Sequence, residues 1–123
     1  MPDFAAYLGG NIQRGISVED RAVRAWARIQ DKPTTVALYR GTTAQPAQTL
    51  RVEPSAQVFP DEVRGPGLAS IARVLLFGVQ GHPAEPDTDI QKGDLFTLAD
   101  GQYRVIDVWT YPGEVQARAE RVT

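Results

Sequence analysis

Two tight-turn signals close together near the C-terminus restrict this chain more than any other feature. Leu95 to Leu98 leads to Asp100-Gly101, Gln102 to Thr110 (QYRVIDVWT) follows, and Tyr111-Pro112-Gly113 then leads into Glu114 to Val122. Asp-Gly between two β-rich runs signals a short hairpin, and its two central residues are expected at positive φ. In the final run Val115, Ala117 and Ala119 alternate with Gln116, Arg118 and Glu120, the period of a half-buried strand. The C-terminal third is therefore expected to be a three-stranded antiparallel meander.

Upstream, Ser70 to Val79 (SIARVLLFGV) has Ile71, Leu75, Phe77 and Val79 on one side and Ala72, Val74 and Leu76 on the other. Apolar residues on both sides are what a central strand requires. Thr34 to Arg40 (TTVALYR) reads as one more strand, and Thr49 to Val52 as a short one after Gly41-Thr42-Thr43 and Pro46. Between Glu53 and Gly67 stand Pro54, Pro60, Gly65 and Pro66, so this stretch reads as a long irregular excursion.

Ser17 ahead of Val18-Glu19-Asp20 is a capping-box variant, with acidic groups at the positive end of a helix dipole. From there Val18, Ala22, Ala25, Trp26 and Ile29 share one helical face and Arg21, Arg24 and Arg28 another, until Pro33 ends the element. The first sixteen residues, with Gly9-Gly10 and Gly15, hold no sustained period and read as an arm. The expectation is a mainly β (α+β) protein: an extended N-terminal arm over 1–16, then one domain over 17–123. That domain is a small antiparallel β-barrel or rolled sheet of five or six strands, with one amphipathic helix at about 18–31 and a long loop.

Composition narrows the chemistry. Leu, Ile, Val and Phe make up about a quarter of the 123 residues, above the level of a disordered chain. The absence of Cys removes disulfides, thiolate metal sites and cysteine nucleophiles. No apolar run is longer than Val74 to Val79, and Met1-Pro2-Asp3-Phe4 has neither the basic nor the apolar stretch of a signal peptide, so neither a membrane span nor export is expected. The net charge of −2 argues against bulk affinity for nucleic acid. Charge is nonetheless uneven: the first forty residues are net basic, whereas positions 80 to 114 hold only Lys92 and Arg104 against seven acidic side chains. Such polarity favours head-to-tail contact between copies.

No phosphate-binding or nucleophile-elbow motif occurs. The sole histidine, His82, lies between Gly81 and Pro83 with no Ser or Cys nearby and reads as a solvated loop residue. Asp87, Asp89 and Asp94 lack the offsets of an EF-hand, and read as solvated and turn-capping groups, with Asp89 accepting backbone N–H groups. No catalytic residue, cofactor or metal is expected. The Arg21, Arg24 and Arg28 stripe has two readings, a solvated face paired to Glu19, Asp20 or Asp31, or a partner interface. Trp26 belongs to the core, while Trp109 and Tyr111 flank a hairpin tip where they either seal a barrel end or face a neighbouring subunit.

Asp89-Ile90-Gln91-Lys92-Gly93-Asp94-Leu95-Phe96, then Asp100-Gly101-Gln102-Tyr103-Arg104-Val105-Ile106-Asp107-Val108, then Gly113 and Ala117-Arg118-Ala119-Glu120 resemble, in order and spacing, the head-completion or head-closure proteins of long-tailed bacteriophages. These are the neck subunits also called head-tail connectors, adaptors or stoppers. The resemblance covers roughly residues 70 to 123 and, more loosely, Thr34 to Arg40. It implies a non-enzymatic virion protein, assembled in the bacterial cytoplasm into a homo-oligomeric ring of about six or twelve copies. A portal or adaptor protein would lie on its head side and a tail-completion or tail-tube protein on its tail side, with transient, non-specific contact to genomic double-stranded DNA in the channel. The long excursion, with Glu53, Gln57, Asp61, Glu62 and Arg64, would then be a channel-facing or gating loop, and Arg21, Arg24, Arg28, Trp109 and Tyr111 a subunit or partner interface.

Two alternatives stand beside it. One is a tail-completion ring subunit. The other is a cellular OB- or SH3-like module that stacks single-stranded nucleic acid or peptide on Tyr103, Trp109 or Tyr111.

Overall fold

The fold was described from a computed structural model, over residues 17–55 and 72–122. The N-terminal arm, and Gln57, Asp61, Glu62 and Arg64 of the excursion, lie outside the described residues. One helix, α1 (Val18–Asp31), precedes eight strands: β1 (Thr34–Val36), β2 (Tyr39–Arg40), β3 (Thr43–Ala44), β4 (Gln48–Pro54), β5 (Arg73–Val79), β6 (Leu95–Leu98), β7 (Gly101–Tyr111) and β8 (Glu114–Arg121). All pairings are antiparallel, and the strands form one curled, barrel-like sheet in the order β1-β4-β5-β8-β7-β6-β2-β3. This is the expected fold class, a small antiparallel barrel-like sheet with one N-terminal helix.

The order itself forces the curl. β1 is the first strand of the sheet and β2 the seventh, yet only Ala37 and Leu38 separate them in the chain, a span of about 11 Å at most. The expected single strand Thr34 to Arg40 is therefore two strands, one on each side of the seam. Leu38, fully buried, plugs the crossing, and Gln45 N–H donates to its carbonyl at 2.8 Å. The strand count exceeds the expected five or six partly because of this split, and partly because Gly41 turns the chain back into the short β2–β3 hairpin.

The concave face holds the main core: Leu38, Leu50, Leu76, Phe96, Tyr103 and Val105 with the small Ala117 and Ala119 of β8. Alanines at the centre leave room for the larger side chains from the opposite wall of a narrow barrel. β5 lies between β4 and β8, the central place its two apolar sides required. Its described part begins at Arg73, and Ser70 and Ile71 of the expected run lie outside the described residues.

β7 departs from regular alternation. Val105 pairs with Ala119, but Asp107 pairs with Arg118, so Ile106 is an inserted bulge residue. Tyr103 and Val105 before the bulge face the core, and Val108 after it packs on the same core opposite Ala117. Asp107, Trp109 and Tyr111 are thereby turned to the convex face. The expected Asp-Gly turn is also displaced by one residue. Leu98 pairs with Gly101, so Ala99 and Asp100 are the central residues, and no non-glycine residue among those described has positive φ. Gly101, at φ 149°, follows the turn rather than forming it.

Candidate functional site

α1 starts where Ser17 Oγ accepts the Asp20 N–H at 3.1 Å, with Glu19 and Asp20 in the first turn and Arg28 in the last. It lies on the convex face and buries Ala22, Ala25 and Ile29 against Val79, with Trp26 packed at the margin. Val18, expected on the apolar face, is 48% exposed because that face reaches the sheet only from the second turn onward.

The stripe of arginines runs along one flank of this helix and meets the β7–β8 tip. Tyr111-Pro112-Gly113-Glu114 has proline at the second position and Gly113 at φ 86°, the pattern of a type II turn. Gly113 is buried against the helix: a Cβ there would lie 2.5 Å from Arg21 Cβ and 2.7 Å from the Ala22 nitrogen. The missing side chain lets the hairpin tip dock on the first helical turns. An open groove of about 420 Å³ results, lined by Arg21, Arg24, Arg28, Tyr111, Glu114 and Gln116 among others.

Within the groove, Arg28 donates to Glu114 Oε2 at 2.8 Å and its guanidinium lies 5.6 Å from the Phe77 ring centroid. Gln116 Nε2 donates to Glu114 Oε1 at 3.2 Å. The expected pairing of the stripe with Glu19, Asp20 or Asp31 is replaced, at Arg28, by this contact with a strand distant in sequence. Among the described residues Arg24 has no ion-pair partner. Tyr111 is 47% exposed at the groove margin, and Trp109, 40% exposed, sits across from Gln116 on the neighbouring strand. Four of the five expected interface residues thus line one groove, and Trp109 borders it.

On the other flank of α1 a smaller hollow of about 170 Å³ is lined by Trp26, Gln48, Val79, Glu85, Asp87 and Thr88 among others. Gly78 opens this side, because the Thr88 side chain occupies the space a Cβ would fill, and Thr88 Oγ1 accepts the Val79 N–H at 2.8 Å. His82 is not the solvated residue expected. It is half-buried, edge-on to Trp26 at 6.2 Å, and its Nδ1 accepts the Ala84 and Glu85 N–H groups at 2.9 Å each, which places the neutral ring's proton on Nε2. Asp87 Oδ1 accepts the Gly81 N–H at 2.8 Å.

The aspartates of the 89–94 segment serve a purpose no local spacing announced. Asp94 is 1% exposed and receives Arg40 through two bonds, Nε to Oδ1 at 3.0 Å and one terminal nitrogen to Oδ2 at 2.9 Å, plus the Gln91 N–H at 2.8 Å. Asp89 takes the outer side of the same guanidinium at 3.2 and 3.3 Å. These bonds, to Asp94 foremost and then Asp89, hold the Arg40 pKa far above its ordinary value. The carboxylate that accepts a backbone N–H is therefore Asp94, not Asp89. Asp89 is held through its backbone instead, exchanging two bonds with the Gln48 amide.

Glu53, expected in the long excursion, belongs to β4 opposite Leu75 and forms an ion pair with Arg51 at 2.6 Å. Strand pairing continues through Pro54, which shortens the excursion at its start. Tyr103 is buried and stacked on Phe96 at 5.6 Å, which removes it from any stacking platform for bases. Among the described residues no three His, Cys, Asp or Glu side chains are grouped to hold a metal ion, and no helix is long and apolar enough to cross a membrane. Comparison of the chain with protein-family models, curated proteins and solved structures gave no match.

Proposed function

We propose that this protein is a structural subunit of a bacteriophage neck, a ring that joins the DNA-filled head to the tail and surrounds the channel. One observation carries the reading: the segments that resemble head-completion proteins form one continuous β6–β7–β8 meander. The tip of that meander offers Trp109, Tyr111 and an arginine-lined groove to a partner. Exposed tryptophan, tyrosine and arginine side by side are the composition of a protein–protein contact.

The chemistry of the rest of the surface supports the same role. A net charge of −2 keeps attraction to a passing polyanion weak, so DNA slides through without being held. The neighbours in this reading are a portal or adaptor protein above and a tail-completion or tail-tube protein below, and no bond is made or broken. Electron microscopy of particles that carry a tagged copy tests it. A ring of tag density between portal and tail is the expected result, and density in the shell, at the tail tip or nowhere on the particle overturns the assignment.

A further inference from the structure

We propose that the arginine groove on one flank of α1 receives the acidic 85–89 segment on the opposite flank of the next copy, so that the ring closes through a charge-matched, head-to-tail contact. The inference deepens the neck reading and rests on it for the ring.

The helix divides the two surfaces. Around its axis Arg21, Arg24 and Arg28 fall to one side of the buried Ala22, Ala25 and Ile29, and Trp26 falls to the other. Among the described residues the groove on the first side is lined by Arg21, Arg24 and Arg28 with one carboxylate, Glu114, which Arg28 engages, and since Arg21 has an interaction of its own, Arg24 is the guanidinium offered to a partner. The hollow on the second side is edged by Glu85-Pro86-Asp87-Thr88, two carboxylates with no basic residue in the segment, and Asp89 beyond them is held by Arg40. Among the described residues the Glu85 carboxylate has no partner, and neither has Arg24.

This segment is held in shape before any contact forms. The Glu85 N–H is fixed on His82, the Asp87 carboxylate on Gly81, and the Asp89 backbone on Gln48. A pre-ordered segment loses little conformational entropy on docking. A two-fold contact of groove on groove would set arginines against arginines. A head-to-tail contact sets arginines against carboxylates, and because each copy uses both flanks of one helix, repetition by a fixed rotation gives a ring rather than a pair.

Sedimentation velocity and native mass spectrometry on the full chain test this, with circular dichroism confirming that each variant is folded. At low salt, about 20 mM NaCl, the wild type is expected to self-associate, and association should weaken by more than tenfold at about 0.5 M NaCl. Arg24→Glu and Glu85→Arg should each be monomeric alone, whereas their equimolar mixture should associate again, since an alternating ring matches charges at both junctions. The neutral variants Arg24→Gln and Glu85→Gln should weaken association in proportion without needing the mixture. A monomeric wild type at low salt, or two folded reversal variants that do not rescue each other, overturns the contact. Failure of the mixture with the chain still found in the neck would defeat this interface alone. Rescue in the mixture with no chain in particles would defeat the neck assignment alone.

Discussion

Arg40, between Asp94 and Asp89, ties β2 to the segment that leads into β6. Asp94 is nearly inaccessible to water while Asp89 is 61% exposed, so the two carboxylates do unequal work. Truncating Arg40 leaves a buried carboxylate with only the Gln91 N–H, so Arg40→Met is expected to lower unfolding free energy by about 3 kcal/mol in urea titrations. Asp89→Ala should lower it by about 1 kcal/mol or less, as for exposed pairs. Tyr103 gives a second measurable consequence. Its burial, and then the 2.7 Å hydrogen bond it donates to Asp100, raise the phenol pKa above the ordinary value. The unfolded phenol loses its proton near pH 10, at about its reference value, while the folded one keeps it. The stability tied to the neutral phenol is therefore complete below that pH and is lost as pH rises toward the folded pKa. Wild type should lose stability above about pH 10 more steeply than Tyr103→Phe, and equal slopes would contradict this account.

Two single residues shape the β7–β8 hairpin. Ile106 is the residue that the β8 ladder skips: paired as an ordinary strand residue it would put Asp107, Trp109 and Tyr111 on the inward face of Tyr103 and Val105. Deleting Ile106 joins Val105 directly to Asp107 and leaves the Val105–Ala119 and Asp107–Arg118 pairs in regular register, so the shortened chain should keep cooperative unfolding and its native near-ultraviolet dichroism, and their loss would show that the bulge itself is required. Gly113 sets the distance of the tip from α1. Gly113→Ala combines positive φ with a clash against helix backbone and should cost about 2–3 kcal/mol by thermal or urea unfolding. Here the sequence was readable in part. The Ser17 cap, the Pro33 stop and the Pro-Gly turn are local chemistry, and each marked its element correctly. The bulge leaves no local trace, since Val105-Ile106 reads as ordinary strand, and so the outward turn of Trp109 and Tyr111 followed from pairing alone.

The crossing from β1 to β2, which curls the sheet, was the least legible property, and it explains why Arg40 and Asp94 were not joined beforehand. They are 54 positions apart, and only the passage of the chain from β1 to β2 brings them together. A periodic reading of Thr34 to Arg40 sees one strand, because alternation continues across Ala37 and Leu38 while the hydrogen-bond partners change from β4 to β6 and β3. The groove was legible on each side separately, as a helical stripe and as aromatic residues at a hairpin tip, but not as one place. The uneven lengths of the ladders also set the order in which the structure opens. β5, β8 and β7 share the longest ladders and the Ala117 and Ala119 core, whereas β2 and β3 contribute two residues each and hold to β6 through Tyr39 and Leu95. Few buried contacts and short ladders give low local opening energies. Native-state hydrogen exchange should therefore show β2–β3 amides exchanging first, with β5 and β8 amides exchanging only on global unfolding. In Asp94→Asn, which removes the buried negative charge facing Arg40, the β2–β3 segment should exchange faster by about tenfold or more, while β5 and β8 slow amides shift only by the global loss of stability. Uniform acceleration across all strands would show that the seam and the central sheet open as one unit and that Arg40 does not act as a local clasp.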